Sequence, residues 1–205
     1  MGIRNVIRQV LGLQAAADAT READPEDLFG MSTAYITMGA ELGCDGAGEA
    51  ALCFSGVDST DFRDTVEEVH DILDHGRVET GTYAYLHEDD KGYEWVVLED
   101  EDIEDLVTSI HFASDTFIER GYGSRLLAAL FAFEAPDSAD ARYVYWIYSF
   151  RRGAFYPFAP LRDHERDTAM EFKLQSVLDG ELGVESDKEY WYPLWPDRFT
   201  DHPWE

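Results

Sequence analysis

Lysine is nearly missing from this sequence. Only Lys91, Lys173 and Lys188 occur, so thirteen of the 16 basic residues are arginine, against 43 aspartates and glutamates. A formal charge of −27 in a chain that is 45% hydrophobic and 14% aromatic describes a folded protein with an acidic surface, because a disordered acidic chain lacks that apolar content. Carboxylates spread evenly with so little lysine are the composition expected in molar salt. There the Debye length falls to about 3 Å and self-repulsion is screened.

Cysteine is also scarce. Cys44 and Cys53 cannot build a zinc cage by themselves, and a reducing compartment is expected. No apolar run approaches the roughly 18 residues of a membrane span, and the N-terminus lacks the apolar core and cleavage site of a signal peptide. The expectation is a cytoplasmic protein. The sequence has no G-x-S-x-G elbow, no phosphate-binding Walker loop and no H-E-x-x-H, so no enzyme is expected, and neither cofactor nor metal. His70 and His75 are five apart where a helical metal pair needs three or four, and His87 to Asp90 sit where a hairpin turns. Gly121 and Gly123 follow a helix and read as its stop, and His111 lies beside an apolar stripe as a hydrogen-bonded core histidine.

What is present reads as helices alternating with strand pairs, implying one α+β domain: a mainly antiparallel sheet with helices packed on it. Residues 1–20 form an amphipathic helix by pattern, and 21–205 the domain with its aromatic-rich tail. Asp24 and Pro25 open a new element, and the stretch from there to Gly43 suits helix or strand. Residues 49–55 read as a buried strand. Phe62, Val66, Val69 and Leu73 stripe a helix capped by Asp58 or Ser59 and ended by Gly76. A hairpin spans 80–98, turning at 87–92, and a second helix covers 103–120 with Leu106, Val107, Ile110, Phe117 and Ile118 as its stripe. Two strands and a last helix over 165–178 follow. The tail "EYWYPLWPDRFTDHPWE" carries three of the five tryptophans and is expected to pack on the body.

Two islands hold no acid at all. In residues 1–17, Ile3, Val6, Ile7, Val10 and Leu11 recur at helical spacing with Arg4 and Arg8 between them. That pattern fits a helix lying on a membrane or in a partner's groove, and equally one packed on its own domain. The second island, 141–162, holds four arginines and eight aromatics around "YWIYSFRRGAFYPFAP". A buried strand explains the aromatics. The adjacent Arg151 and Arg152 point to opposite sides, one placed to brace a carboxylate inside the fold and the other facing out. Arginine and aromatic residues dominate binding hot spots, so Arg151, Arg152, Phe155, Tyr156 and Phe158 are the expected partner-binding set, with Ile3, Arg4, Ile7, Arg8 and Val10 as the membrane or partner helix.

The segments "DPEDLFGMSTAY", "GEAALCFSGVDSTDF", "FIERGYGSRLLAALFAF", "YWIYSFRRGAFYPFAP", "EFKLQSVLDGEL" and "KEYWYPLWPDR" resemble the PspA-associated protein PspAB family of halophilic archaea over nearly the whole chain. The resemblance lies in overall character and carries no catalytic motif. It implies association with phage-shock protein A, a coiled-coil membrane-remodelling protein of the envelope-stress response, and so a non-enzymatic cytoplasmic adaptor with a peripheral membrane contact left open. Two other readings stand beside it. One is an enzyme whose site is assembled from distant residues; the other is a nucleic-acid binder using Arg151, Arg152 and stacked aromatics, which a charge of −27 opposes.

Overall fold

The computed structural model describes residues 22–205. The amphipathic helix expected over 1–20, with Ile3, Arg4, Ile7, Arg8 and Val10, lies outside them.

Six strands form one antiparallel sheet: β1 (Asp45–Phe54), β2 (Tyr83–Glu88), β3 (Glu94–Glu99), β4 (Leu126–Glu134), β5 (Tyr143–Ser149) and β6 (Ala154–Phe158), in the order β2-β3-β1-β4-β5-β6. Among the described residues, four α-helices cover one face: α1 (Met31–Leu42), α2 (Thr60–Thr80), α3 (Ile103–Glu119) and α4 (Thr168–Val177). This is the expected α+β domain.

Alternation along each strand sorts side chains between two cores. On β1, Ala50, Leu52 and Phe54 face the helices while Ala51 and Cys53 face the other way; on β5, Val144, Trp146 and Tyr148 oppose Tyr145 and Ile147. The second face is covered by the irregular tail through Trp191, Leu194 and Trp204. Strands buried on both faces read as continuous apolar runs, which is why β4 is the unbroken "LLAALFAF". The tail begins as an extension of the sheet edge: Phe155 N–H donates to Gly183, and Glu185 N–H to Phe155, each at 2.8 Å. Beyond it, side chains satisfy carbonyls that no ladder reaches. Tyr156 Oη donates to Tyr192 at 3.0 Å and Arg166 Nη1 to Trp191 at 2.7 Å.

The local chemistry sets most boundaries. Asp24 accepts from Glu26 N–H at 3.1 Å and Pro25 opens a 3₁₀ turn that leads into α1, so the stretch ambiguous in sequence is helical. Ser59 caps α2, accepting from Phe62 N–H at 3.1 Å, and its stripe of Phe62, Val66, Val69 and Leu73 is buried as the spacing requires. Asp167 caps α4, which starts at Thr168 instead of Glu165. Ile118, placed on the inner stripe of α3 by spacing, points outward.

The end of α2 corrects the sequence reading. The helix passes through Gly76, and with it Thr80, to stop at Gly81, whose φ of 91° supplies the left-handed cap. An interior glycine costs only about 1 kcal/mol relative to alanine, which the buried stripe outweighs. A β-carbon at Gly76 would meet nothing within 4 Å. Gly76→Ala should therefore stabilise the protein by about 0.5–1 kcal/mol, a rise in melting temperature of about 1–4 °C. No gain would mean that α2 frays before this position.

Candidate functional site

The five residues expected to meet a partner are mostly inside the protein. Phe155, Tyr156 and Phe158 are buried in the two cores, and burial holds the Tyr156 phenol well above its ordinary pKa. Arg152 is 4% exposed and gives its Nε to Glu185 Oε2 at 2.7 Å, with its guanidinium 3.7 Å over the Tyr190 ring. This is the inward arginine of the adjacent pair, and its carboxylate comes from the tail. Arg151 donates Nη2 to the Ser124 carbonyl at 2.5 Å; burial, then the neighbouring Arg125, holds its pKa below the usual value. Arg152, Phe155, Tyr156 and Phe158 thus hold the tail from inside the protein, while Arg151 is half-buried and tied to the Ser124 carbonyl. A second buried pair works alongside it. Arg166 Nε donates to Glu171 Oε1 at 2.7 Å and Arg166 Nη2 to the Pro157 carbonyl at 3.2 Å, so one side chain ties β6, α4 and the tail. Burial nevertheless pushes the Glu171 carboxyl up, against the pull of Arg166.

The remaining candidates sort as their surroundings dictate. His75 Nδ1 lies 2.6 Å from the Asp71 carbonyl and His111 Nε2 3.2 Å from Glu26 Oε1. Asp89 organises the β2–β3 turn, accepting from the N–H groups of Lys91 and Tyr93 at 2.9 Å and from Trp95 Nε1 at 3.2 Å. Gly121, at φ 82°, ends α3 as a turn. Burial raises both cysteine thiols, Cys44 to about 11 and Cys53 well above its ordinary value, which leaves neither reactive near neutrality. Among the described residues, no three His, Cys, Asp or Glu side chains gather where they could hold a metal ion. No described helix is long and apolar enough to cross a membrane.

A concave surface among the described residues lies beside the β2–β3 turn, away from Arg151 and Arg152. Two adjoining hollows of about 350 and 380 Å³ share His164, Trp195, Pro196 and Asp197 as their common wall. Arg162 and Phe199 close the first; Tyr93, Trp95 and the prolines at 193 and 203 line the second. The Trp195 indole is held edge-on to Phe158 at 5.1 Å and to His164 at 5.4 Å. Lys91 Nζ donates to the Trp195 carbonyl at 3.3 Å and to Asp197 Oδ1 at 3.4 Å, fixing the tail strand across the groove. The second hollow, with apolar walls and a few placed polar groups, has the usual make-up of a binding site, whereas Arg162, Asp163, His164 and Asp197 make the first one polar.

One wall is a left-handed turn. Glu165 N–H donates to the Arg162 carbonyl at 3.2 Å, closing a four-residue turn whose central residues, Asp163 (φ 60°, ψ 28°) and His164 (φ 58°), are both left-handed. They are the two non-glycine residues with positive φ among those described. A left-handed turn of this kind prefers Asn-Gly, and aspartate and histidine are among the other residues that enter this region most readily. Sparsely populated backbone held by surrounding structure concentrates at binding and active sites. In sequence, parts of this groove show separately, as the end of the acid-free island at Leu161 and Arg162, the 87–92 turn and the tryptophan-rich tail, with nothing to bring them together.

No curated protein and no solved structure matches this chain. The family model described as PspA associated protein B matches residues 1–204, nearly every position from the acid-free N-terminus through the tail that carries Trp195, and the chain belongs to that family.

Proposed function

We propose that this protein is a non-enzymatic cytoplasmic adaptor that binds phage-shock protein A in the envelope-stress response of a halophile. The observation that carries this reading is membership, over residues 1–204, of a family described by its association with PspA. The composition supports the saline setting: a charge of −27 with three lysines suits a surface that works where salt screens its self-repulsion. The acid-free segment with Ile3, Arg4, Ile7, Arg8 and Val10 is the part suited to a membrane surface or a helical partner.

Affinity capture of the tagged full chain from native extract in molar potassium chloride tests the proposal. Phage-shock protein A should be retained, and deletion of Gly2 to Leu13 should weaken that retention without lowering the melting temperature. Absence of the phage-shock protein from the full-length eluate would overturn the adaptor reading. Unchanged retention by the deletion would remove the N-terminal segment from it.

A further inference from the structure

We propose that the exposed aromatic ridge of Phe29, His111 and Phe112 is the docking site of this chain's own acid-free N-terminal segment, Ile3 to Leu11, which is held there until an outside target takes it up. The proposal rests on the adaptor reading for that target and deepens it.

The ridge is an apolar patch on the outer side of the helical layer. Phe112 is 56% exposed and Phe29 38%. They belong to one cluster, because the His111 ring lies 4.6 Å from that of Phe29 and 6.1 Å from that of Phe112. Ile36, on α1 packed beside α3, is also exposed. Apolar residues scattered singly are ordinary on a surface, whereas rings in contact form a patch suited to a further contact.

Charge selects the occupant. The two stretches that carry the ridge, 25–42 and α3, contain three and four carboxylates respectively and not one lysine or arginine. Asp115 follows Phe112 by three positions and so shares its side of the helix, and Glu26 Oε1 lies 3.2 Å from His111 Nε2. The segment is the complement: residues 1–17 hold no acid, and Arg4 and Arg8 stand among Ile3, Ile7, Val10 and Leu11. A second copy of this chain would bring a charge of −27 against the same carboxylates. In molar salt charges act only at contact, and the apolar surface of Phe29 and Phe112 supplies an attraction that screening leaves intact.

The tether favours the same chain. Glu22, the first described residue, is packed on the β5–β6 turn, where a β-carbon on Gly153 would stand 2.8 Å from its carbonyl oxygen. Two residues later Asp24, whose N–H donates to Tyr148 Oη at 3.0 Å, caps the 3₁₀ turn that carries Glu26 and Phe29. Residues 12–21 join Leu11 to that fixed point and reach up to about 33 Å when extended. So short a connection gives an effective concentration on the order of mM, at which weak contacts suffice. The stripe that meets the ridge is the one the segment would present to its outside target, so docking and capture exclude each other.

Trypsin cleavage after Arg8 of the full chain in molar potassium chloride reads how often the segment is free. Phe112→Ser removes apolar contact without adding a charge that would itself attract the arginines. It should speed that cleavage by about threefold or more, with the melting temperature kept because the side chain is half-exposed. A threefold effect corresponds to about 0.6 kcal/mol, weak enough for a partner to displace. The pair Ile7→Cys and Phe112→Cys gives a reading without protease: mild oxidation should close a disulfide within one chain, leaving the buried Cys44 and Cys53 as thiols. Equal cleavage rates in the native protein and Phe112→Ser overturn the proposal, and so do disulfides that join two chains, which would make the ridge a contact between copies. If Phe112→Ser loses phage-shock protein A at an unchanged cleavage rate, the ridge belongs to that partner; this inference falls and the adaptor reading stands. Accelerated cleavage in Phe112→Ser, with phage-shock protein A absent from the native eluate, upholds the docking and removes the adaptor reading.

Discussion

Arg152→Ala should destabilise the protein by about 3–5 kcal/mol, lowering its melting temperature by about 6–20 °C. The arginine and Glu185 are 4% and 7% exposed, and their contact at 2.7 Å joins the β5–β6 turn to the tail. Removing the cation leaves a carboxylate in a dry site where, among the described residues, the Asp187 N–H at 2.9 Å remains to serve it, and the ring of Tyr190 loses its cover. The loss is that of an uncompensated buried charge and not the net worth of the pair. Hence Arg152→Met combined with Glu185→Leu should recover most of it. Thermal melts of the three proteins in molar salt decide the matter. A drop of less than about 1 kcal/mol in Arg152→Ala would show that Glu185 finds water, and that the tail does not depend on this anchor.

That result also bears on why an acidic protein contains a stretch with no acid. Residues 141–162 are β5, the turn and β6, buried on both faces, where a carboxylate would be costly unless paired. Each of the four arginines uses something other than a neighbour's carboxylate. Arg142 lies 5.1 Å over Tyr143, Arg151 donates to Ser124, Arg152 reaches Glu185 from the tail, and Arg162 covers Phe199. The aromatic content of the segment and the burial of its strand are therefore legible in sequence. The partner of Arg152 is not, because Glu185 lies 33 positions along the chain and nothing local marks it.

The same division holds for the rest of the fold. Periodic stripes identify α2 and α3, and the unbroken apolar run of β4, with a tryptophan-rich tail downstream, implies a sheet covered on both faces. Gly76 was misleading because a glycine signals a helix end only where the backbone turns left-handed, and tertiary packing put that turn at Gly81. The Trp195 groove is the least legible part. It is assembled from the β2–β3 turn, the 161–165 turn and the tail, segments far apart in the chain that no local pattern joins.

Trp204→Ala should cost about 3–5 kcal/mol, as large as any single substitution proposed for this chain. Trp204 is 1% exposed. Its indole stacks on His202 at 4.8 Å with an interplanar angle of 4°, stands edge-on to Tyr145 at 6.1 Å and meets Trp95 at 6.3 Å. Its Nε1 donates to Glu49 Oε2 at 3.3 Å, and the other oxygen of Glu49 lies 3.3 Å from His202 Nε2, whose Nδ1 is 2.9 Å from the Tyr145 hydroxyl. Burial, reinforced by Tyr143 and Glu49, holds that phenol far above its ordinary pKa, so it remains a neutral hydroxyl and the cluster a stable lock over β1 and β5. Truncation to alanine removes the ring that covers Tyr145 and leaves a cavity above a sheet face that none of the described helices covers. Trp204→Phe keeps the stacking without the N–H and should lose less than half as much. Limited proteolysis gives an independent reading, since release of the tail exposes 199–205 to cleavage before the sheet unfolds. If Trp204→Ala melts within about 2–4 °C of the native protein, a loss of about 1 kcal/mol, the tail is a surface strap and the second core is closed by Trp191 and Leu194 alone.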